Sequence, residues 1–298
     1  MRILEIKNLN KSYKQNVLNN VSFNIEEGEI VGLVGPNGVG KTTLMKIISR
    51  LLKADSGEVK VCNISNKDNR KEYLKNFSCI IETPALYESL TGYDNIDFIR
   101  KINKVSKEDM DKTLEFVGIG KKIHEKVKNY SLGMKQRLAL GISLLTEPKL
   151  LILDEPTNGL DPKGVIEFRE LLISLAKKKN ISILISSHIL SDLDKVCSNV
   201  LFLKDGKIID SNINIPKEEI QNILLTIESS KDILLKIKEI DFIKNADIIE
   251  NNKISILIDK KKTSKFLEEL YNKKIVYSDI EIIKDSMENL YTQVYGGK

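Results

Sequence analysis

A mostly parallel α/β domain with a helical insertion, followed by a smaller α+β domain, is the fold class this sequence predicts, and three observations carry the prediction. First, the apolar run Ile30 to Val34 ends in a glycine-rich loop, after which Leu44, Ile47, Ile48, Leu51 and Leu52 form an apolar stripe at helical spacing. Strand, glycine loop and helix is the order a phosphate-binding loop requires. Second, two continuous apolar runs, Leu150 to Leu153 and Ile181 to Ile185, flank a helical stretch from about Gly164 to Lys177. That is the βαβ pattern of strands buried on both faces of a parallel sheet. Third, beyond about residue 212 the pattern changes to βαββαβ, the order of a small ferredoxin-like module.

The remaining elements follow in chain order. Short β-like runs at Ile3 to Ile6 and Val21 to Ile25 precede the turn Glu26-Glu27-Gly28-Glu29, which leads into Ile30. Residues 94–147 read mainly as helices, with Phe98, Ile102, Met110, Leu114 and Val117, then Leu138, Ile142 and Leu145, on repeating faces. A hairpin, Val200 to Leu203 and Lys207 to Ile209 around Asp205-Gly206, closes the first domain, residues 1–212. In the second, residues 213–298, strands are predicted at Leu224 to Ile227, Ala246 to Ile249, Lys253 to Ile258 and Val276 to Ile283. Helices are predicted at Lys231 to Ile240 and Thr263 to Lys273, with a final one from Asp285, whose carboxylate makes a capping box with Glu288. No internal repeat is present.

Composition narrows the class. The 298 residues are 41% hydrophobic and 30% charged, which excludes disordered and fibrous chains. Cys62, Cys79 and Cys197 are odd in number, widely spaced and without a C-x-x-C pair, so neither a disulfide framework nor a zinc site is expected and a reducing compartment fits. The opening MRILEIKNLN carries charge where a signal peptide needs an apolar core, and no apolar run reaches spanning length, so the chain is expected to stay out of the bilayer. The net charge of +5 comes from lysines spread along the chain rather than gathered in a block, which argues against a nucleic-acid partner.

Chemistry concentrates in two stretches. Gly35, Pro36, Asn37, Gly38, Val39, Gly40, Lys41 and Thr42 match G-x-x-x-x-G-K-[ST], followed by Thr43. Glycines let successive backbone N–H groups curl around a polyphosphate, and the helix that follows aims its positive end at the same place. Lys41 then bridges the β- and γ-phosphates of ATP while the Thr42 hydroxyl ligates Mg²⁺. The second stretch, Leu150-Leu151-Ile152-Leu153-Asp154-Glu155, is an apolar strand ending in two carboxylates. Alone it reads equally as a strand running into an acidic turn. Beside a phosphate loop, Asp154 is placed to hold the metal's hydration shell and Glu155 to orient or deprotonate the attacking water.

Tyr130-Ser131-Leu132-Gly133-Met134-Lys135-Gln136-Arg137 decides among phosphate-loop proteins. It stands where ABC-type ATPases have their signature L-S-G-G-Q followed by basic residues, and residues 1–210 resemble that family. The resemblance implies that Ser131 and the N–H of Gly133 reach across a dimer interface to the ATP of a partner subunit. Leu132 and Met134 depart from the pattern, in place of a glycine and the glutamine. It further implies that Tyr13, with Val17 beside it, stacks on adenine, that Asp161 in Asn158-Gly159-Leu160-Asp161 belongs to the loop linking the two sites, and that His188 contacts the γ-phosphate. His124 is read as structural. Most members carry glutamine where Glu82 stands, in the loop that touches both Mg²⁺ and the membrane partner, so the Glu82 carboxylate is expected, with Thr42 and Asp154, as a hard oxygen ligand of the metal. Glutamate there, with the segment Ile81 to Asn95, is similar to ATPases of bacitracin-type and lantibiotic-type peptide exporters.

The resemblance implies a homodimer or heterodimer of ATPase subunits at the cytoplasmic face of the membrane, hydrolysing ATP with Mg²⁺ and driving an ABC-2 type transmembrane permease. Export of, or resistance to, antimicrobial peptides is the expected task, with a multidrug or other small-molecule exporter as the alternative. Relatives that act on ribosomes or DNA usually fuse two ATPase units or carry a long coiled coil, and neither feature is present. A phosphate-loop kinase leaves Ser131-Leu132-Gly133 and His188 unexplained.

Overall fold

The computed structural model describes residues 1–188, 193, 195–209, 220–227, 231–250 and 252–283. The chain divides into two compact units, Met1–Ile213 and Asn214–Lys298.

The first unit is built on two sheets. Strands β1 (Arg2–Ser12), β2 (Asn16–Glu26), β4 (Ser56–Val61) and β5 (Ile64–Ser65) form an antiparallel sheet in the order β2-β1-β4-β5. Strands β3 (Ile30–Val34), β6 (Phe77–Ile80), β7 (Leu150–Asp154), β8 (Ser182–Ser187), β9 (Asn199–Lys204) and β10 (Lys207–Ile209) form the second, in the order β10-β9-β3-β8-β7-β6. This sheet is parallel throughout except for β10, which pairs antiparallel with β9 at the edge. Every residue of β3, β7 and β8 is buried, as expected of continuous apolar strands covered on both faces.

One core joins the two sheets. Leu4, Ile6, Val21 and Ile25 of the antiparallel sheet pack with Val31, Leu33, Ile152 and Leu184 of the parallel one and with Leu44, Ile47 and Ile48 of helix α1 (Lys41–Ile48). The predicted stripe ran on to Leu52, but the helix stops four residues earlier. Arg50 takes the left-handed conformation, the N–H groups of Leu51 and Leu52 turn back to the carbonyl of Lys46, and Leu51 faces solvent.

After the short α2 (Arg70–Leu74), the insertion is helical: α3 (Gly92–Asn103), α4 (Lys107–Val117) and α5 (Leu132–Leu144) share a core of Ile96, Met110, Val117, Leu138 and Leu145. Thr91 and Asp94 close a reciprocal capping box at the start of α3. Helix α6 (Pro162–Lys179) connects β7 to β8, opened by the Asp161 side chain as N-cap with Pro162 in its first turn and ended by left-handed Asn180.

The second unit has its own core. Its strands are β11 (Ile220–Thr226), β12 (Ile243–Glu250), β13 (Lys253–Asp259) and β14 (Asp279–Ile283), with α7 (Lys231–Lys238) and α8 (Thr263–Asn272) between them. The sheet is antiparallel, in the order β12-β13-β11-β14. Ile223, Leu225, Ile254, Ile256 and Ile258 pack with Ile237 of α7 and with Phe266 and Leu270 of α8. Strand β14 begins later than predicted, and Val276 is exposed ahead of it. The final helix expected from Asp285 lies outside the described residues.

Candidate functional site

Strands β3, β8 and β7 are neighbours, so the loops leaving their carboxyl ends converge on one crevice. The loop after β3 is the glycine-rich one. Its last residue, Gly40, is the N-cap of α1 at φ 115°. A Cβ there would lie 2.9 Å from Val17 Cγ1 and 3.1 Å from the Val17 carbonyl oxygen, so both conformation and the close passage of β2 demand glycine. No side chain caps α1, which leaves its first N–H groups facing the crevice.

The side chains of the crevice are tied into one network. Lys41 is buried, and its Nζ donates to the carbonyl of Gly35 at 2.7 Å and, more weakly, to that of Pro36 at 3.4 Å. The same nitrogen lies 3.3 Å from Glu155 Oε1. Thr42 Oγ1 donates to Asp154 Oδ2 at 2.7 Å, and Ser186 Oγ donates to Asp154 Oδ1 at 2.6 Å. Ser186 Oγ also accepts the N–H of Glu155 at 2.9 Å, and Glu155 sits in the left-handed region at φ 49°. His188 Nδ1 is 2.6 Å from Glu155 Oε2, and the His188 N–H reaches the same oxygen at 3.3 Å.

Asn37, Gly38, Gly40, Lys41, Thr42, Thr43, Glu155, Asn158 and His188 line a cavity of about 230 Å³ here. A second cavity, of about 470 Å³, is lined by Ser131, Leu132, Gly133 and Met134 at the start of α5 together with Gly159, Leu160 and Asp161. Ser131 is the N-cap of α5, its Oγ accepting the N–H of Met134 at 3.3 Å. The loop Asn158 to Asp161 therefore runs from one cavity into the other.

A model of the ABC transporter family matches residues 18–158. An uncharacterized ABC transporter ATP-binding protein, YhcH of Bacillus subtilis, is 36% identical over 99% of this chain and 96% of its own length. The bacitracin transport ATP-binding protein BcrA of Enterococcus faecalis is 33% identical over 99% of this chain and 97% of its own. The chain belongs to the ABC transporter ATP-binding proteins. The lantibiotic transport ATP-binding protein SrtF of Streptococcus pyogenes is 45% identical over 70% of this chain and 89% of its own. Among solved structures, the dimeric ABC transporter cassette MJ0796 matches with a TM-score of 0.63 at 28% identity, covering 70% of this chain and 97% of that one.

As an ABC transporter ATPase, the chain binds and hydrolyses ATP. Cassettes of this family dimerise and pair with the membrane subunits of a transporter. No helix among the described residues is long and apolar enough to cross a membrane.

The structure gathers Lys41, Thr42, Glu155 and His188 around one cavity, with Asp154 hydrogen-bonded to Thr42, and places Ser131 to Met134 and Asp161 at the other. Leu132 packs on the loop Asn158 to Asp161 of this ABC ATPase: a Cβ on Gly159, which has φ 76°, would lie 3.0 Å from Leu132 Cδ2. Asp161 is committed to capping α6, accepting the N–H of Gly164 at 2.9 Å. Tyr13 is exposed, with Lys11 Nζ 5.4 Å from its ring centroid, and Val17 lies against Gly40.

Glu82 is not among the residues lining the phosphate-loop cavity. Its carboxylate accepts a 2.6 Å hydrogen bond from Lys46 Nζ, one turn along α1, and its own φ is 64°. That bond, outweighing partial burial and reinforced by the charges of Glu82 and Asp154, holds the Lys46 ammonium above its ordinary value. Sequence reasoning missed Lys46 and Ser186. The Ser186-Ser187-His188 run at the end of an apolar strand was the available signal for Ser186, since hydroxyls at the carboxyl end of a buried strand need partners.

Proposed function

We propose that this chain powers the export of antimicrobial peptides of the bacitracin or lantibiotic kind, as one of a pair of ATPase subunits acting on an ABC-2 type permease at the cytoplasmic face of the membrane. Full-length similarity to BcrA, similarity of the first unit to SrtF, and glutamate at position 82 support the peptide reading. The observation that carries the paired arrangement is that the phosphate loop and the Ser131 helix start line different cavities of the same chain, with no lining residue in common. An ATP cradled by one copy then takes its second grip from the partner's α5, whose N-terminus offers a serine hydroxyl and free N–H groups to an anion.

In this reading the polyphosphate of ATP draws Lys41 away from the Gly35 and Pro36 carbonyls and from Glu155. Glu155 is then free to orient water and take its proton, while Lys41 and His188 stabilise charge developing on the γ-phosphate. The donor set suits Mg²⁺. Thr42 Oγ1 and Asp154 Oδ2 are hard oxygens 2.7 Å apart, and no cluster of three or more His, Cys, Asp or Glu among the described residues is placed to hold an ion without substrate. Held there by Thr42 and Asp154, the ion would supply charge neutralisation of the phosphates. Motion of the pair passes to the membrane subunit through the loop at Glu82 to Tyr87. For the second unit, the antiparallel order β12-β13-β11-β14 with both helices in the crossovers supports the ferredoxin-like reading.

Glu155→Gln tests the motor. Phosphate release should fall by about 10²- to 10⁴-fold, with nucleotide retained and dimers accumulating in MgATP, whereas adding Ser131→Ala returns the protein to monomers. Glu155→Gln that stays monomeric with ATP overturns the paired site. Deleting the gene should sensitise cells to bacitracin or lantibiotics; unchanged sensitivity to both overturns the peptide assignment and turns attention to other exported small molecules.

A further inference from the structure

Ser186 occupies a junction that the family motifs do not cover. It lies directly beside Asp154 in the parallel pairing of β7 and β8 and is fully buried. A hydroxyl can donate one hydrogen bond while accepting others. Ser186 does both: it donates to Asp154 Oδ1 at 2.6 Å and accepts the Glu155 N–H at 2.9 Å. Its two partners are adjacent in sequence and have different tasks.

The first bond sets the rotation of the Asp154 carboxylate. With Oδ1 taken by Ser186, Oδ2 is the oxygen turned toward Thr42, at 2.7 Å, and these two oxygens would hold the phosphate-bound cation. The second bond steadies a backbone that is otherwise unfavourable. Glu155 has φ 49°, a conformation a non-glycine residue keeps only when its surroundings fix it, and its N–H is met by Ser186 Oγ. That backbone aims the carboxylate at Lys41, 3.3 Å away, and at His188, 2.6 Å away.

We propose that Ser186 is a positioning residue for hydrolysis: through one hydroxyl it orients the metal-facing oxygen of Asp154 and holds Glu155 in its left-handed, water-activating pose. Ser186 is fully buried and acts through these two neighbours. The inference rests on the roles given to Asp154 and Glu155 in the reading above.

An alanine at this position leaves Asp154 Oδ1 and the Glu155 N–H without the hydroxyl that serves both. A threonine keeps the hydroxyl and suits a buried strand. Full-length Ser186→Ala should lower kcat about tenfold, the loss typical of one misplaced hydrogen-bonded group near the reacting atoms. It should also raise several-fold the Mg²⁺ concentration that half-saturates the ATP-induced thermal shift, while affinity for ATP in EDTA stays within about twofold. Ser186→Thr should recover most of both losses. Two results overturn the proposal: wild-type kcat and Mg²⁺ dependence in Ser186→Ala, or a loss of kcat matched by equal losses of metal-free ATP affinity and of melting temperature, which marks a packing defect alone. Glu155→Gln run alongside separates the levels, because wild-type turnover in that variant removes the underlying site assignment whatever Ser186 does.

Discussion

His188 Nδ1 lies 2.6 Å from Glu155 Oε2, while Lys41 Nζ lies 3.3 Å from the other oxygen of the same carboxylate. Both oxygens of the carboxylate proposed to activate water are therefore engaged, one by the lysine that the phosphate-loop motif assigns to the β- and γ-phosphates and one by the histidine that the resemblance assigns to the γ-phosphate. One carboxylate thus joins the phosphate-loop lysine to the histidine that follows β8, so a change at either cation is expected to be felt by Glu155.

His188→Ala removes the ring but not the backbone N–H that also reaches Glu155 Oε2 at 3.3 Å. Lys41 keeps its hold on Oε1, so the pocket for ATP survives. The expected outcome is a kcat lower by about 10²-fold with KM for ATP changed less than threefold, measured as phosphate release at saturating Mg²⁺. Wild-type turnover in His188→Ala would remove the ring from the mechanism.

Gly40 is where the phosphate loop meets β2. At φ 115° any side chain is strained, and the Cβ of alanine would press on Val17 at 2.9 Å from Cγ1 and 3.1 Å from the carbonyl oxygen. The backbone contact cannot yield as a flexible side chain could. Gly40→Ala should cost about 1–3 kcal/mol of stability and displace the first N–H groups of α1, so ATP affinity falls by more than tenfold. Chemical denaturation and nucleotide titration check the two parts, and a variant that binds ATP as tightly as the parent refutes the strain argument.

What the sequence discloses depends on how local the cause is. The phosphate loop, the Leu150–Asp154 strand and the capping of α5 by Ser131 are each written in a few consecutive residues, where glycine, apolar runs and hydroxyls have one physical meaning. Strands β4, β5 and β6 escaped notice because they are short and mixed in polarity, and β4 and β6 have partners far off in sequence; Leu4 pairs with Val61, and Phe77 with Leu150. Ser186 and Lys46 were hidden for the same reason. Their bonds to Asp154 and Glu82 span 32 and 36 residues and depend on register and helix facing, which no local window contains.

Glu82 offers a charge-based prediction. In place of an uncharged amide it presents a carboxylate, and Lys46 on the phosphate-loop helix neutralises it at 2.6 Å. The pair is well exposed, so it contributes little to stability. Its effect is on where the carboxylate points. Lys46→Met releases Glu82, whose negative charge is then unopposed near Asp154, and the Mg²⁺ needed for half-maximal hydrolysis should drop by about threefold while the unfolding midpoint stays put. Lys46→Arg should behave as the parent. Glu82→Gln added to Lys46→Met should cancel the drop, because the effect travels through that carboxylate; a double variant that keeps the lowered Mg²⁺ requirement would show that Lys46 acts on the metal by another route.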